Sequence, residues 1–235
     1  MMKNTLTVKQ KEADQDLNII SLLTVFPLFI FLIFQSQIMR MIEEPSFSIW
    51  LRLLFLAAFQ FSIAGLGSSL VMILRRENWR NYGLTKKNAA KSISLSALLC
   101  LPLILFLAIT GQIHSYLPFQ TIILTKEVLA QSIPLNIIGY SLIALIWGFF
   151  EAFNYLVIAN KINCRYPSHQ TWLDYGALTC ALICLIIHGI IGFDLHTILE
   201  SLTVFVLIYG MLIVHKKTGN AWGCILIFLF IWNAF

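Results

Sequence analysis

Long apolar runs without any charge dominate the chain. Seven stretches contain no Asp, Glu, Lys or Arg: 17–39, 53–74, 92–125, 128–150, 175–193, 201–215 and 218–235. A helix needs about 20 apolar residues to cross a bilayer, so nearly every run is a candidate membrane span. Polar and apolar positions do not alternate within the runs, which argues against the strand pattern of a membrane barrel. The pattern therefore predicts membrane helices.

The composition supports this prediction. Of the 235 residues, 59% are apolar and 11% are charged, whereas a soluble domain carries about a quarter charged residues. We predict an all-α, polytopic transmembrane helical bundle that forms one integral domain over 17–235, after a polar N-terminal segment at 1–16. About seven spans are expected: 17–39, 49–74, 93–111, 134–158, 172–191, 197–214 and 220–235.

The positions of the basic residues predict the orientation in the membrane. Thirteen of the 16 Lys and Arg residues lie in the N-terminal segment or in the connectors 75–91, 159–171 and 215–219. Basic connectors stay on the cytoplasmic side, so we predict an integral cell membrane protein with a cytoplasmic N-terminus. The lipid bilayer is then its first partner. The net charge of +5 follows from this topology and does not indicate nucleic-acid binding.

Glu151 is the first candidate functional residue, because it lies inside the fourth predicted span. A carboxylate near the centre of a membrane helix costs roughly 2.5–3.5 kcal/mol and is functional by default. Spacings of three and four residues place Trp147, Asn154 and Tyr155 on the same helix face. We expect this polar face to meet a cavity or a partner, and the alternative is a protonated glutamate that only fixes helix packing.

His188, in the fifth predicted span, is the second candidate. Paired with Glu151 it would supply a base and an oxyanion-stabilising donor, the two parts that hydrolysis of an amide needs; alone it could be an interface histidine. With the predicted boundaries the two residues differ in depth by roughly 13 Å at 1.5 Å per residue. A tilt or a later start of the fifth span would bring them level.

Three further features carry weaker signals. Cys180, Cys184 and His188 recur every four residues, but a structural zinc site needs four ligands, so we predict no metal. Asn233 is the one amide in the second half of the last predicted span, and Gln60 lies in the second. Amides at helix contacts are common.

Three short elements resemble the CPBP family of intramembrane proteases (CAAX proteases and bacteriocin-processing enzymes, also called Abi). The first is the basic Gly-Leu connector 81–88. The second combines Glu151, which resembles one of the two glutamates of the family's first motif, with His188, which resembles the histidine of its second motif. The third is the turn 218–222 before the last helix, which resembles the family's Thr-Gly-Ser-x-Trp element.

The resemblance covers about 75–235 and implies a helical bundle that cuts a membrane-anchored or prenylated peptide. It implies that Glu151 activates water and that His188 holds the oxyanion. The family's second glutamate and its arginine have no counterpart here. Phe228 and Trp232 stand where the family has a histidine and an asparagine in the last helix.

These observations lead to two main functional hypotheses, beside a third in which the chain is an assembly or immunity factor that acts through helix contacts alone. The first is a CPBP-like protein, either a divergent glutamate-dependent protease or a catalytically inactive relative that keeps a binding cavity. In it Glu151 and His188 are the catalytic candidates, and Trp147, Asn154, Tyr155 and Asn233 are the binding candidates. The alternative is a small transport or transporter-partner subunit in which Glu151 and His188 line a polar path.

Overall fold

The computed structural model describes residues 6–168, 170 and 173–235, and within these ranges it contains helices and loops but no strand. The prediction of an all-α fold is confirmed. The helices are α1 (Val8–Glu43), α2 (Ile49–Ala64), α3 (Leu66–Arg75), α4 (Ala89–Leu99), α5 (Leu101–Ile109), α6 (Thr125–Leu129), α7 (Leu135–Ile143), α8 (Glu151–Arg165), α9 (Tyr175–Ile187), α10 (Leu195–Thr218) and α11 (Trp222–Phe230). A 3-10 turn at Trp79–Tyr82 and a π-helical segment at Ala144–Phe150 complete the order.

Four helical stretches of the described chain are long and apolar enough to cross a membrane: Val8–Glu43, Ala89–Ile109, Leu135–Arg165 and Leu195–Thr218. A fifth is added if α2 and α3, which are bent by 58° at Gly65, form one span. The predicted count of seven is not confirmed, because α9 has 13 residues and α11 has 9, fewer than a membrane crossing needs. The apolar run beyond α9 is not helical, since the chain turns at Gly189 with a positive φ of 67°.

Helix α1 begins earlier than the first apolar run. Thr7 and Gln10 form a capping box, in which each side chain accepts a hydrogen bond from the backbone N–H of the other. This cap satisfies backbone donors at the helix start. The mostly polar segment from Val8 to Asp16 therefore forms the first turns of α1.

The connectors gather at two ends of the bundle. At one end, which we call the basic end, Asp16 of α1 pairs with Arg75 and Lys161, and Asn88 donates a hydrogen bond to the Thr218 carbonyl. This end holds the start of α1, the connector 75–91, the end of α8, the start of α9 and the α10–α11 turn.

At the opposite end, Arg52 forms an ion pair with Glu127 of α6 and donates to the Ile42 carbonyl. The connector between α5 and α7 is also held there by a hydrogen bond from the Leu117 N–H to the Ala234 carbonyl. Both ends are therefore closed by contacts between distant parts of the chain.

Helix α8 lies at the centre of the bundle. Almost every residue from Glu151 to Ile162 is buried, polar ones included, and α8 packs against α1, α3, α9 and α11. Gly176 of α9 lies so close to the Ala159 backbone that a Cβ atom would come within 2.2 Å of its carbonyl oxygen. Such close approach at small residues is typical of membrane helix pairs.

Candidate functional site

Glu151 lies at the junction of the π-helical segment and α8, about halfway along the continuous helical stretch Leu135–Arg165. A π-helical turn widens the helix locally and often lies beside a functional site. The carboxylate is consequently in the core of the membrane span, far from either end of the bundle.

One oxygen of the Glu151 carboxylate accepts a hydrogen bond, and the other is accessible from a cavity. The Glu151 side chain is 7% exposed, and Oε2 accepts a hydrogen bond from Gln60 Nε2 at 3.1 Å. Oε1 lies 3.8 Å from His188 Nε2, which is longer than a hydrogen bond. Because both groups face one cavity, a molecule in the cavity can contact the carboxylate and the imidazole together.

His188 reaches this depth because both helix boundaries differ from the predicted ones. Helix α8 continues to Arg165, and α9 begins at Tyr175. At 1.5 Å per residue, Glu151 and His188 each lie about 20 Å along their helices from the basic end. The predicted depth difference of roughly 13 Å is therefore absent.

Trp147, Asn154 and Tyr155 line the same cavity as Glu151. Asn154 Oδ1 accepts a hydrogen bond of 2.7 Å from Ser68 Oγ, which ties α8 to α3. The structure thus brings together five of the six site residues proposed from the sequence.

The cavity has a volume of about 770 Å³ and lies between α1, α2, α8 and α9. Its wall on α1 extends from Leu17 to Ile42, so the cavity follows most of the span. Most lining side chains are aliphatic or aromatic, and the charged or amide groups lie at its middle around Glu151. A mostly apolar cavity with a few convergent polar groups is typical of a ligand site.

The outer face of α1 is strongly apolar and uncovered. Leu22, Phe26, Phe29 and Leu32 are each more than half exposed, as expected of side chains that face lipid. Helix α1 is therefore the wall between the cavity and the bilayer.

Asn233 is the proposed site residue that the structure places elsewhere, since it does not line the cavity. Its Oδ1 accepts a hydrogen bond from Thr121 Oγ1 at 3.1 Å. Thr121 itself does line the cavity, so Asn233 fixes the connector that closes the opposite end.

Aromatic rings cover one side of the site. The buried Phe228 ring lies 5.6 Å from the Tyr155 ring and 5.6 Å from the Trp232 ring. The Trp232 ring meets the His188 imidazole edge-on at 5.2 Å. The phenyl ring of Phe228 offers no hydrogen-bond donor to the site.

The cysteines of α9 belong to the protein core. Cys180 and Cys184 are buried, and Cys180 Sγ donates to the Tyr155 carbonyl at 3.6 Å. Across 6–168, 170 and 173–235, no three His, Cys, Asp or Glu side chains come together in a way that could hold a metal ion.

The sequence carried only a weak signal for Gln60 and none for the α1 wall of the site. A lone amide in an apolar run is the signal that pointed to Gln60, but many such amides only contact another helix.

No family model, curated protein or solved structure matches the chain. The geometry of the site is therefore the basis for a functional assignment.

Proposed function

We propose that this chain is a divergent CPBP-like intramembrane protein. It binds the apolar anchor of a membrane-attached peptide in the cavity beside Glu151 and His188, and it retains little or no proteolytic activity. The observation that carries this proposal is the buried Glu151 carboxylate, 3.8 Å from the partly exposed His188 imidazole, with both groups facing an apolar cavity in the core of the membrane span.

The spatial arrangement of the short motifs supports the CPBP resemblance. The connector 81–88 and the turn 218–222 are far apart in sequence but form one hydrogen-bonded unit. The Ala221 N–H donates to the Gly83 carbonyl at 2.9 Å, and Asn220 Nδ2 donates to the Thr85 carbonyl at 2.7 Å. This meeting of two distant motifs supports the proposal that the chain shares the family's fold.

The four positions that the resemblance assigns to a catalytic site are also neighbours. Glu151 and His188 face each other, Trp232 contacts His188, and Phe228 contacts Trp232. Two of these four positions carry aromatic rings in place of the family's histidine and asparagine. Removing a single oxyanion donor typically lowers the rate by about 10²–10³, so weak or absent proteolysis is expected.

The lining of the cavity favours an apolar, membrane-anchored ligand. An alkyl or prenyl chain that is already in the bilayer has left water, so it can exchange lipid contacts for contacts with the apolar cavity wall at little cost. The peptide portion can then donate a backbone N–H to Glu151 Oε1, which has no hydrogen bond from the described residues.

A role in transport is the second candidate, because the cavity extends toward both ends of the bundle. Its lining includes Leu17 and Ile162 near the basic end and Ile42 and Ile122 near the opposite end. These end segments are apolar, whereas an ion or proton path is lined by polar or charged groups. Binding of an apolar anchor therefore explains the lining better than transport does.

We also propose that the basic end faces the cytoplasm. The connector 75–91, Arg165, Lys216 and Lys217 all lie at this end, as the positive-inside rule requires of cytoplasmic loops.

The test uses the full chain in lipid nanodiscs with a farnesylated fluorescent peptide. The same peptide without the farnesyl group is the ligand control. Glu151→Gln keeps the side-chain shape and removes the ionisable carboxyl group, and Glu200→Gln, on α10 outside the cavity, is the matched variant. After binding to empty nanodiscs of the same lipid is subtracted, we expect the farnesylated peptide to bind the protein at least tenfold more tightly than the control peptide. Glu151→Gln alone should weaken this protein-dependent binding and abolish any slow cleavage.

Equal binding of the two peptides would contradict the proposed function. Solute or proton flux into proteoliposomes that is lost in Glu151→Gln and kept in Glu200→Gln would favour the transport function instead.

A further inference from the structure

A second, smaller cavity lies at the basic end of the bundle. It measures about 320 Å³ and is enclosed by the 79–83 turn, the last part of α8, the residue before α9 and the last turn of α10. About half of its wall is polar, with Arg80, Asn81, Asn160, Asn163, His215 and Lys216 among the lining residues. The polar share of the wall is much larger than in the first cavity.

Arg80 contributes a positive charge that is not paired with any described residue. Arg80 is exposed, and its guanidinium has no hydrogen bond or ion pair with any residue that the structure describes. Its backbone is bonded: the N–H donates to Asn78 Oδ1, and the carbonyl accepts from the Gly83 N–H. A guanidinium presents five donors in a planar fork that matches two phosphate oxygens. A free fork on the wall of a polar cavity is suited to an oxyanion.

Lys216 contributes a second cation that is already held in place. Its Nζ lies 2.8 Å from Asp174 Oδ2, and an ammonium group has three donors, so N–H groups remain for a ligand. The carboxylate of Asp174 is satisfied on its other oxygen, which accepts hydrogen bonds from the Ala177 N–H at 2.7 Å and from Asn163 Nδ2 at 2.8 Å. Asp174 therefore balances Lys216 and leaves Arg80 as the net charge of the cavity.

His215 and the asparagines supply the remaining polar contacts. His215 Nε2 lies 3.1 Å from the Tyr82 carbonyl oxygen. Because a carbonyl can only accept, Nε2 carries the hydrogen, and Nδ1 remains available to a ligand hydroxyl. The amides of Asn81 and Asn160 can donate to phosphate or to glycerol and sugar oxygens.

We infer that this cavity binds a phosphate group, carried either by the headgroup of a phospholipid at the basic end or by free inorganic phosphate. The cavity lies where helices α8 and α10 end and α9 begins, which is the level of the lipid headgroups for helices that cross the bilayer. Basic pockets between membrane helices at this level commonly take anionic headgroups. The inference stands on this cavity alone and is independent of the proposed function.

The experiment compares Arg80→Gln with Lys87→Gln in the full chain. Lys87 is exposed on the same connector and its side chain does not line the cavity, so both variants remove one positive charge from the same region. The lipid arm measures retention of phosphatidic acid or phosphatidylinositol phosphate by native mass spectrometry. The phosphate arm measures binding of inorganic phosphate by calorimetry in a neutral detergent.

We expect Arg80→Gln to lower affinity about tenfold or more in at least one arm, with Lys87→Gln close to the unmodified protein. Arg80→Lys should fall between them, because it keeps the charge and loses the fork. Loss in the lipid arm alone identifies a headgroup site, and loss in both arms identifies a site for the phosphate group itself. Equal losses in Arg80→Gln and Lys87→Gln, or no binding of either probe, would overturn the inference.

Discussion

A buried group of ion pairs joins the first turns of α1 to the bundle, and it provides the sharpest test of the fold. Asp16 Oδ1 lies 2.7 Å from Arg75 Nε, and Asp16 Oδ2 lies 2.9 Å from Lys161 Nζ. Lys161 also pairs with Glu77 at 2.6 Å. The side chain of Asp16 is only 3% exposed and that of Lys161 only 7%. Substitution Asp16→Asn leaves Lys161 with Glu77 alone, and it leaves Arg75 with only the half-exposed carboxylate of Glu12 at 4.0 Å.

The expected loss follows from burial. Breaking a buried ion pair by removing one partner costs about 3–5 kcal/mol, and we expect about 3 kcal/mol because Asn keeps the shape and one acceptor. For a chain of this length, about 1 kcal/mol shifts Tm by roughly 2–4 °C. Asp16→Asn should therefore lower Tm by about 6–12 °C.

Asp14→Asn is the matched control, on the same helix two residues earlier. Asp14 pairs with Arg165 at 3.0 Å, but its side chain is 49% exposed, and exposed pairs contribute about 0–1 kcal/mol. Its Tm should fall by no more than about 4 °C.

The assay is thermal unfolding of the purified proteins in one detergent, followed by tryptophan fluorescence. Both variants must be measured at the same ionic strength, since salt screens the exposed pair more than the buried one. Equal Tm shifts in Asp16→Asn and Asp14→Asn would refute the argument that burial makes the Asp16 pairs essential.

Three further predictions concern orientation, catalysis and pH. Single cysteines that replace Lys87 and His114, in a cysteine-free background, should react with an impermeant reagent from opposite sides of the membrane, position 87 from the cytoplasmic side. Labelling of position 87 from the outside would show that the protein has the opposite orientation. Phe228→His should destabilise the core without speeding peptide cleavage, because it buries an imidazole among aromatic rings; faster cleavage would show that this one donor was the missing part. Burial alone would raise the pKa of Asp174, but hydrogen bonds from Lys216, the Ala177 N–H and Asn163 outweigh it and lower that pKa. A depressed carboxyl pKa stabilises the fold above the unfolded pKa of about 3.9, and this stability is lost as pH falls through the folded value. Asp174→Asn should flatten the acid side of the stability profile, and an unchanged slope below about pH 4 would contradict the assignment.

The sequence predicted the helices well and their ends poorly. Apolar runs report which segments avoid water, but they do not report where a helix stops inside the membrane. The run 175–193 looks like a full span, yet α9 ends at Ile187 because of the turn at Gly189. Asp174, which caps α9 through the Ala177 N–H, is a sequence signal that would have placed the start of this helix correctly.

The candidate site was predictable in part for a physical reason. Glu151 stands out in any membrane span because a carboxylate there is costly, and its helix neighbours follow from the 3.6-residue period. The contact with Gln60 and the wall that α1 provides depend on how separate helices pack. Asn233 illustrates the same limit, because its amide is directed to Thr121 by the fold of the opposite end.

Photo-crosslinking from adjacent positions on α1 tests the central claim most directly. Leu28 lines the cavity, whereas Phe29 is 59% exposed on the outer face of the helix. A photoreactive amino acid at Leu28 should capture a farnesylated peptide in nanodiscs, and unlabelled farnesylated peptide should compete with this capture. The same group at Phe29 should capture mainly lipid. Equal, non-competable capture at both positions would show that the peptide stays in the bilayer and that the cavity beside Glu151 does not bind it.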